Sequence, residues 1–223
     1  MKKRSPAVEL CEYRCKRIID IVLGALLLAV FLPVLLLVAT LVRFKMGAPV
    51  LFLQTRPGLQ GRPFNLYKFR TMTNERDTAG NLLPDGQRMT RLGRFLRSTS
   101  LDELPQLFNV LKGEMSIVGP RPLYMKYLPY YTEQEQKRHT VRPGITGWAQ
   151  IHGRNHLPWD ERLALDAWYA ENHSLRLDFA ILVKTFWQVL RKEGVAPDSD
   201  VVEPDMDQER RNRLADLHLD CSR

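Results

Sequence analysis

The run IVLGALLLAVFLPVLLLVATLV, residues 21–42, has no charged or amide side chain. As a continuous helix it would reach about 33 Å, enough to cross the hydrocarbon core of a bilayer. A buried helix of a soluble core is the plainer alternative, but no charge interrupts the run on any face. A cleavable leader fits poorly, because no clear small-residue cleavage site follows and Arg43 and Lys45 come at once. The run therefore points to a lipid surface.

How the run sits there is a separate question. Lys2, Lys3, Arg4, Arg14, Lys16 and Arg17 precede it, and Arg43, Lys45, Arg56, Arg62, Lys68 and Arg70 follow with no acid among residues 43–70. A single span usually has one basic, cytoplasmic side. Pro33 near the middle lacks an N–H and crowds the preceding turn. These features suggest a re-entrant membrane helix broken at Leu32-Pro33, both ends on one face. A true span stays open, since proline is tolerated where the freed carbonyl finds a partner.

The whole chain of 223 residues carries 33 Lys and Arg against 25 Asp and Glu, a net charge of +8. That balance favours anionic partners such as phosphorylated metabolites, lipid headgroups or nucleic acid. Cys11, Cys15 and Cys221 make no disulfide framework, and no close Cys/His cluster suggests zinc. Three parts are read along the chain: a basic segment and membrane helix over 1–45, a main domain over 46–192, and a polar, acidic tail over 193–223. The fold class is α/β and membrane-associated, a small, mostly helical domain with a short β-hairpin.

Short strands are predicted around Val50–Gln54 and Phe64–Phe69, joined by a basic turn at Arg56, Pro57 and Gly58. Residues 73–88 read as a surface excursion and MTRLGRFLRSTS as a short helix. Two helices, about Trp159–Asn172 and Leu177–Arg191, mix aromatic and basic residues as amphipathic helices at a headgroup layer do.

The candidate chemistry lies in RSTSLDELPQLFNVLKGEMSIVGPRP, residues 97–122, where Asp102 and Glu103 stand side by side. With Ser100 as cap, Glu103 falls at N3 and completes a capping box. Pro105 is late for an ideal helix start, so the helix begins irregularly or further on, and Gly113 is a plausible stop. A cap does not account for Asp102 among Arg91, Arg94 and Arg97, with Gly119-Pro120-Arg121-Pro122 following. A carboxylate at a helix start is expected to keep a lowered pKa, which leaves an ionised oxygen for nucleophilic attack or for a metal. Guanidiniums beside it suit phosphoryl oxygens. Residue types alone thus suit phosphoryl transfer at a membrane surface, and leave a plain cap open.

The passages KRIIDIVLGALLL, QTRPGLQGRPFNLYKFRTM, TSLDELPQLFNVLKGEMSIVGPRP and VRPGITGWAQIHGRN resemble the bacterial sugar transferase family, the monotopic polyprenyl-phosphate phosphoglycosyl transferases, from about Arg14 to Leu190. At this length the chain resembles the small members made of the catalytic domain alone. The resemblance implies transfer of a sugar 1-phosphate from a UDP-sugar to polyprenyl (undecaprenyl) phosphate through a covalent phosphosugar-aspartate. It implies Asp102 as nucleophile, Glu103 as partner of a required Mg²⁺, and Arg121 on the phosphates, with Arg97 in support. It strengthens re-entry, although the family's Ser-Pro break is Leu32-Pro33 here. It also implies the bacterial inner membrane as location, with the active site on the cytoplasmic face.

Around that centre, Arg56, Lys68, Arg70 and Arg142 are candidate phosphate contacts. Turn geometry for Arg56, and an ordinary wet face for Lys68 and Arg70, are the alternatives. Asp166 and Asp178 are expected in salt bridges or at the surface. Membrane lipids are expected partners, nucleic acid is not, and a homodimer stays open. The competing reading of the whole chain is a non-enzymatic membrane scaffold or regulator of glycan assembly. The sugar is not legible.

Overall fold

The computed structural model describes residues 6–153, 157–191 and 205–212. Its first element, α1 (Pro6–Met46), is a single helix that runs uninterrupted through Leu32 and Pro33. One face is turned to the rest of the protein along most of that length. Asp20, Gly24, Leu35, Val38 and Val42 are buried, with Leu28 and Phe31 half-buried between them, a helical repeat that keeps its phase on both sides of Pro33.

The expected break at Leu32-Pro33 is therefore not seen. A proline removes one N–H from the ladder, yet helical turns continue on both sides of it and both are packed on the domain. The opposite face, including Val22, Leu26, Val30, Leu36, Leu37 and Phe44, is exposed and apolar.

Both ends of the apolar run are tied down. Arg17 donates to the carbonyls of Val110 (2.7 Å) and Leu111 (3.0 Å), and Asp20 accepts from the Ile117 amide at 3.1 Å. At the other end Leu35, Val38 and Val42 join Phe69 and Leu96 in one apolar cluster.

The hairpin β1 (Leu51–Pro57) and β2 (Pro63–Phe69) is antiparallel, with Leu51 opposite Phe69 and Pro57 opposite Pro63. After the excursion, which holds the short α2 (Asp85–Arg88), comes α3 (Arg91–Ser98), capped by the Thr90 side chain. Gly93 lets α3 press on the chain after β2: a Cβ there would lie 1.9 Å from the Thr71 carbonyl oxygen.

A 3-10 turn, Leu101–Glu103, leads into α4 (Gln106–Lys112), which ends at Gly113 in the left-handed region (φ 88°). The late start after Pro105 and the glycine stop follow the sequence reading. Asn109, fully buried in α4, accepts from the Tyr67 amide (3.1 Å) and donates to the Asn65 carbonyl (2.7 Å). It satisfies the edge of β2 as a neighbouring strand would. The carbonyls at the end of α4 fall to Arg17 and to Arg142, which donates to Gly113 at 2.8 Å.

Strands β3 (Ser116–Val118) and β4 (Gly144–Thr146) pair in parallel, with α5 (Glu133–Gln136) in the connection. The helices α6 (Trp148–His152), α7 (Trp159–Asn172) and α8 (Leu175–Leu190) complete the body. A main cluster joins Phe64, Val110, Met115, Ile117, Tyr169 and Ile181. Phe179, Phe186 and Trp187 on α8 remain exposed. Asp178 pairs with Lys16 and Asp166 with Arg138, so both acids stand in salt bridges, as expected.

Candidate active site

Asp102 and Glu103 sit in the 3-10 turn between α3 and α4, and the turn hands them different surroundings. Ser100, at its start, has left-handed backbone (φ 56°) and offers no side-chain cap. The expected capping box does not form. The Glu103 carboxylate turns instead to Lys68 on β2 (2.8 Å) and to Arg121, whose two terminal nitrogens straddle it in a fork. Burial alone would raise the Glu103 pKa. The two cations outweigh it and hold Glu103 well below the usual carboxylate range.

Asp102 is buried, 7% exposed, and among the described residues no group donates a hydrogen bond to its carboxylate. Burial, and then the neighbouring charge of Glu103, push its pKa up to about 6 against the opposing pull of Lys68, Arg97 and Arg121. The lowered value expected of a helix start is thereby corrected. The amides of Glu103 and Leu104 serve the carbonyls of Ser100 and Leu101, so they do not solvate the Asp102 charge. Desolvation wins.

Of the basic candidates, Lys68 and Arg121 touch Glu103 directly. Arg97 is exposed at the end of α3; its Nε donates to Thr71 Oγ1 at 3.2 Å, and its charge acts on Asp102. Arg56 closes β1 with its guanidinium 3.7 Å from the centre of the Tyr124 ring and bonded to Gln54. The charges of Arg56 and Arg121 act on each other. Two candidates are engaged elsewhere. Arg70 donates to the Ala48 carbonyl (3.0 Å), and Arg142 ties Gly113 to the Tyr13 hydroxyl at the start of α1.

A buried support behind Arg121 was not legible in the sequence. Arg138 donates to the Arg121 carbonyl at 2.6 Å and pairs with Asp166 at 2.7 Å, both side chains almost wholly enclosed. Arg138 thus fixes the backbone from which the fork extends. Tyr124, three residues after Arg121, was likewise missed. Nothing in single-sequence spacing marks it, because its role depends on Arg56 arriving from the hairpin.

Among the described residues no three His, Cys, Asp or Glu side chains gather as a metal cage. Asp102 and Glu103 supply two carboxylates, and one of these already carries two cations. That donor set fits a hard divalent ion that brings further oxygens from water and a diphosphate, and does not fit one held by protein alone.

Asp102 thus lies enclosed beside the Glu103–Lys68–Arg121 cluster, and its turn packs against the apolar helix α1. The bacterial sugar transferase family model matches residues 11–192, and the chain belongs to that family. It is 56% identical over 180 residues to the uncharacterized sugar transferase EpsL of Bacillus subtilis, covering 81% of this chain and 89% of that protein. It is 43% identical over 189 residues to the UDP-glucose:undecaprenyl-phosphate glucose-1-phosphate transferase of Caulobacter vibrioides, covering 80% and 71%. With the undecaprenyl-phosphate galactose phosphotransferase of Salmonella typhimurium it shares 39% over 196 residues, 80% of this chain and 41% of the longer relative.

Proposed function

We propose that this protein transfers a sugar 1-phosphate from a UDP-sugar to undecaprenyl phosphate, releasing UMP, in two steps through Asp102. The observation that carries the reading is Asp102 itself: a carboxylate without a hydrogen-bond donor among the described residues, beside the cationic clamp of Lys68 and Arg121. Family membership and relatives named for this transfer support it.

In the first step an Asp102 oxygen attacks the β-phosphorus in line. The O–P bond forms as the bond to the bridging oxygen breaks, and that electron pair leaves with UMP. In the second, an oxygen of undecaprenyl phosphate attacks the same phosphorus and expels the Asp102 carboxylate. Arg121, half-exposed at its tip, is placed to meet the phosphates, with Lys68 and Arg97 offsetting charge. Glu103 would hold Mg²⁺ arriving on the diphosphate, which would neutralise phosphate charge.

The membrane placement follows from α1. Both ends of its apolar run are fixed to one domain while its outer face is bare, which favours a monotopic protein. The basic residues flanking the run and the family membership favour the cytoplasmic face of the inner membrane. In this placement the bare face of α1 is set into one leaflet, and the exposed aromatics of α8 rest at the headgroup layer. Only the acceptor's phosphate then has to leave the lipid.

The test is incubation of purified protein with UDP-sugars and Mg²⁺ without acceptor, followed by intact-mass analysis. An adduct one phosphosugar heavier, lost in Asp102→Asn, is expected. Release of UMP that needs the acceptor and leaves no adduct would overturn the covalent route. A protein that releases no UMP with any UDP-sugar would favour the scaffold reading.

A further inference from the structure

The family match ends at residue 192, yet residues 205–212 lie folded against the domain. Met206 is fully buried in a cluster with Leu123, Tyr127, Tyr131, Trp159 and Leu163. Asp205 accepts from the Tyr127 hydroxyl (2.9 Å) and from Lys126, and Lys126 reaches on to Asp207 at 3.2 Å. Arg210 fixes the other end, bonding Glu135 and Asp160 at 2.6 Å each. An acidic tail read as an appendage of the sequence is here a strap.

What it holds is the segment that follows Arg121. Residues Leu123–Tyr131 include Tyr124, the ring on which Arg56 is stacked. Tyr127 meets Tyr124 edge-on at 5.5 Å, and Lys126 lies over both rings. The path from strap to phosphate clamp is short: Met206 and Asp205 set Tyr127 and Lys126, these set Tyr124, and Tyr124 sets Arg56 beside Arg121. Without the strap, one side of Tyr127 would be bare and Lys126 would lose the carboxylates of Asp205 and Asp207. Tyr124 and Arg56 would then be free to shift relative to the fork.

We infer that residues 205–212 are a positioning strap for the binding of the nucleoside diphosphate part of the donor, acting through Tyr127 and Tyr124 on Arg56 and Arg121. The inference rests on the proposed donor class, a nucleoside diphosphate-sugar. The strap touches no reacting atom; Met206 and Asp205 are positioning residues.

The full chain in detergent tests it, with Met206→Asp to eject the strap and Asp205→Asn to loosen it. Lys137→Ala, which breaks the surface pair with Glu171, serves as a control. The readouts are UDP affinity by calorimetry, the KM for UDP-sugar against kcat at saturating undecaprenyl phosphate, and protease release of the tail. Expected are a UDP affinity and KM about tenfold worse in Met206→Asp and a few-fold worse in Asp205→Asn, with the KM for undecaprenyl phosphate unchanged.

Release of the tail with unchanged UDP affinity overturns the strap. So does a fall in kcat and active fraction with unchanged UDP affinity, which is the mark of a purely structural brace. Failure of the unaltered protein to bind UDP overturns it too. If UDP binds and weakens as expected but no UMP is ever released, the strap stands and the transferase reading falls.

Discussion

Asp102 and Glu103 are adjacent in the chain and lie on opposite sides of the normal carboxylate range. The first is pushed up to about 6 by burial and by its neighbour's charge; the second is held low by Lys68 and Arg121. One short turn separates them by sending Asp102 inward without donors and Glu103 across to two cations. The pair therefore divides into an enclosed carboxylate with a raised pKa and a carboxylate that organises the cations of Lys68 and Arg121.

That division has a pH signature. On the proposed covalent route Asp102 attacks only when ionised, so adduct formation should fall with a single ionisation as pH drops through about 6. Rapid-quench measurement of UMP release in the first turnover, from pH 5 to 8, checks it. A flat profile down to pH 5 would contradict the raised pKa of Asp102 on that route.

The same burial costs stability. The folded state holds the Asp102 proton more tightly than the unfolded chain, so between about pH 4 and 6 it binds more protons. Stability falls as pH rises through that window and remains lower at neutral pH, by up to about 3 kcal/mol. Asp102→Asn should therefore abolish transfer while raising the melting temperature by several degrees. Thermal melts at pH 7.5 and pH 4.5 should show the gain shrinking at the lower pH.

Glu103→Gln removes the negative neighbour and frees Lys68 and Arg121 from it. Residual activity should be low, about a hundredth of normal or less, because the fork loses its anchor. Its acid limb should move to lower pH, since both changes favour ionised Asp102. The pH profile of the variant decides this independently of its rate.

Arg138→Met leaves Asp166 buried without its cation and should cost about 3–5 kcal/mol in denaturant unfolding. The double variant Arg138→Met with Asp166→Leu should recover much of that stability. It should not recover activity, because the Arg121 carbonyl remains without its donor.

Cys15, exposed near the start of α1, and a cysteine introduced as Lys45→Cys should label from the same side of sealed inverted membrane vesicles. Both ends of the apolar run are fixed to one domain, so labelling from opposite sides would refute the monotopic placement.

The sequence by itself determined what is local or periodic. An uncharged run of this length points to lipid, because a small domain covers only one face of it and the opposite face stays apolar. The β1–β2 hairpin, the start of α4 after Pro105 and its stop at Gly113 follow from backbone restrictions of single residues. Asp102, Glu103 and Arg121 stood out because acids and guanidiniums cluster within one short stretch.

Tertiary structure decided everything that depends on which groups meet. Pro33 alone suggests a break, but an inward face in phase from Asp20 to Val42 keeps α1 whole. Ser100 and Glu103 match a capping box until Lys68 and Arg121, 35 and 18 residues away, claim the carboxylate. The sign of the Asp102 shift depends on desolvation, which no local spacing records. The bonds of Arg142 and Arg70 to distant carbonyls and the packing of residues 205–212 on the domain were unseen for the same reason. Charge is written in the sequence, whereas the partner of each charge is fixed only when distant elements pack.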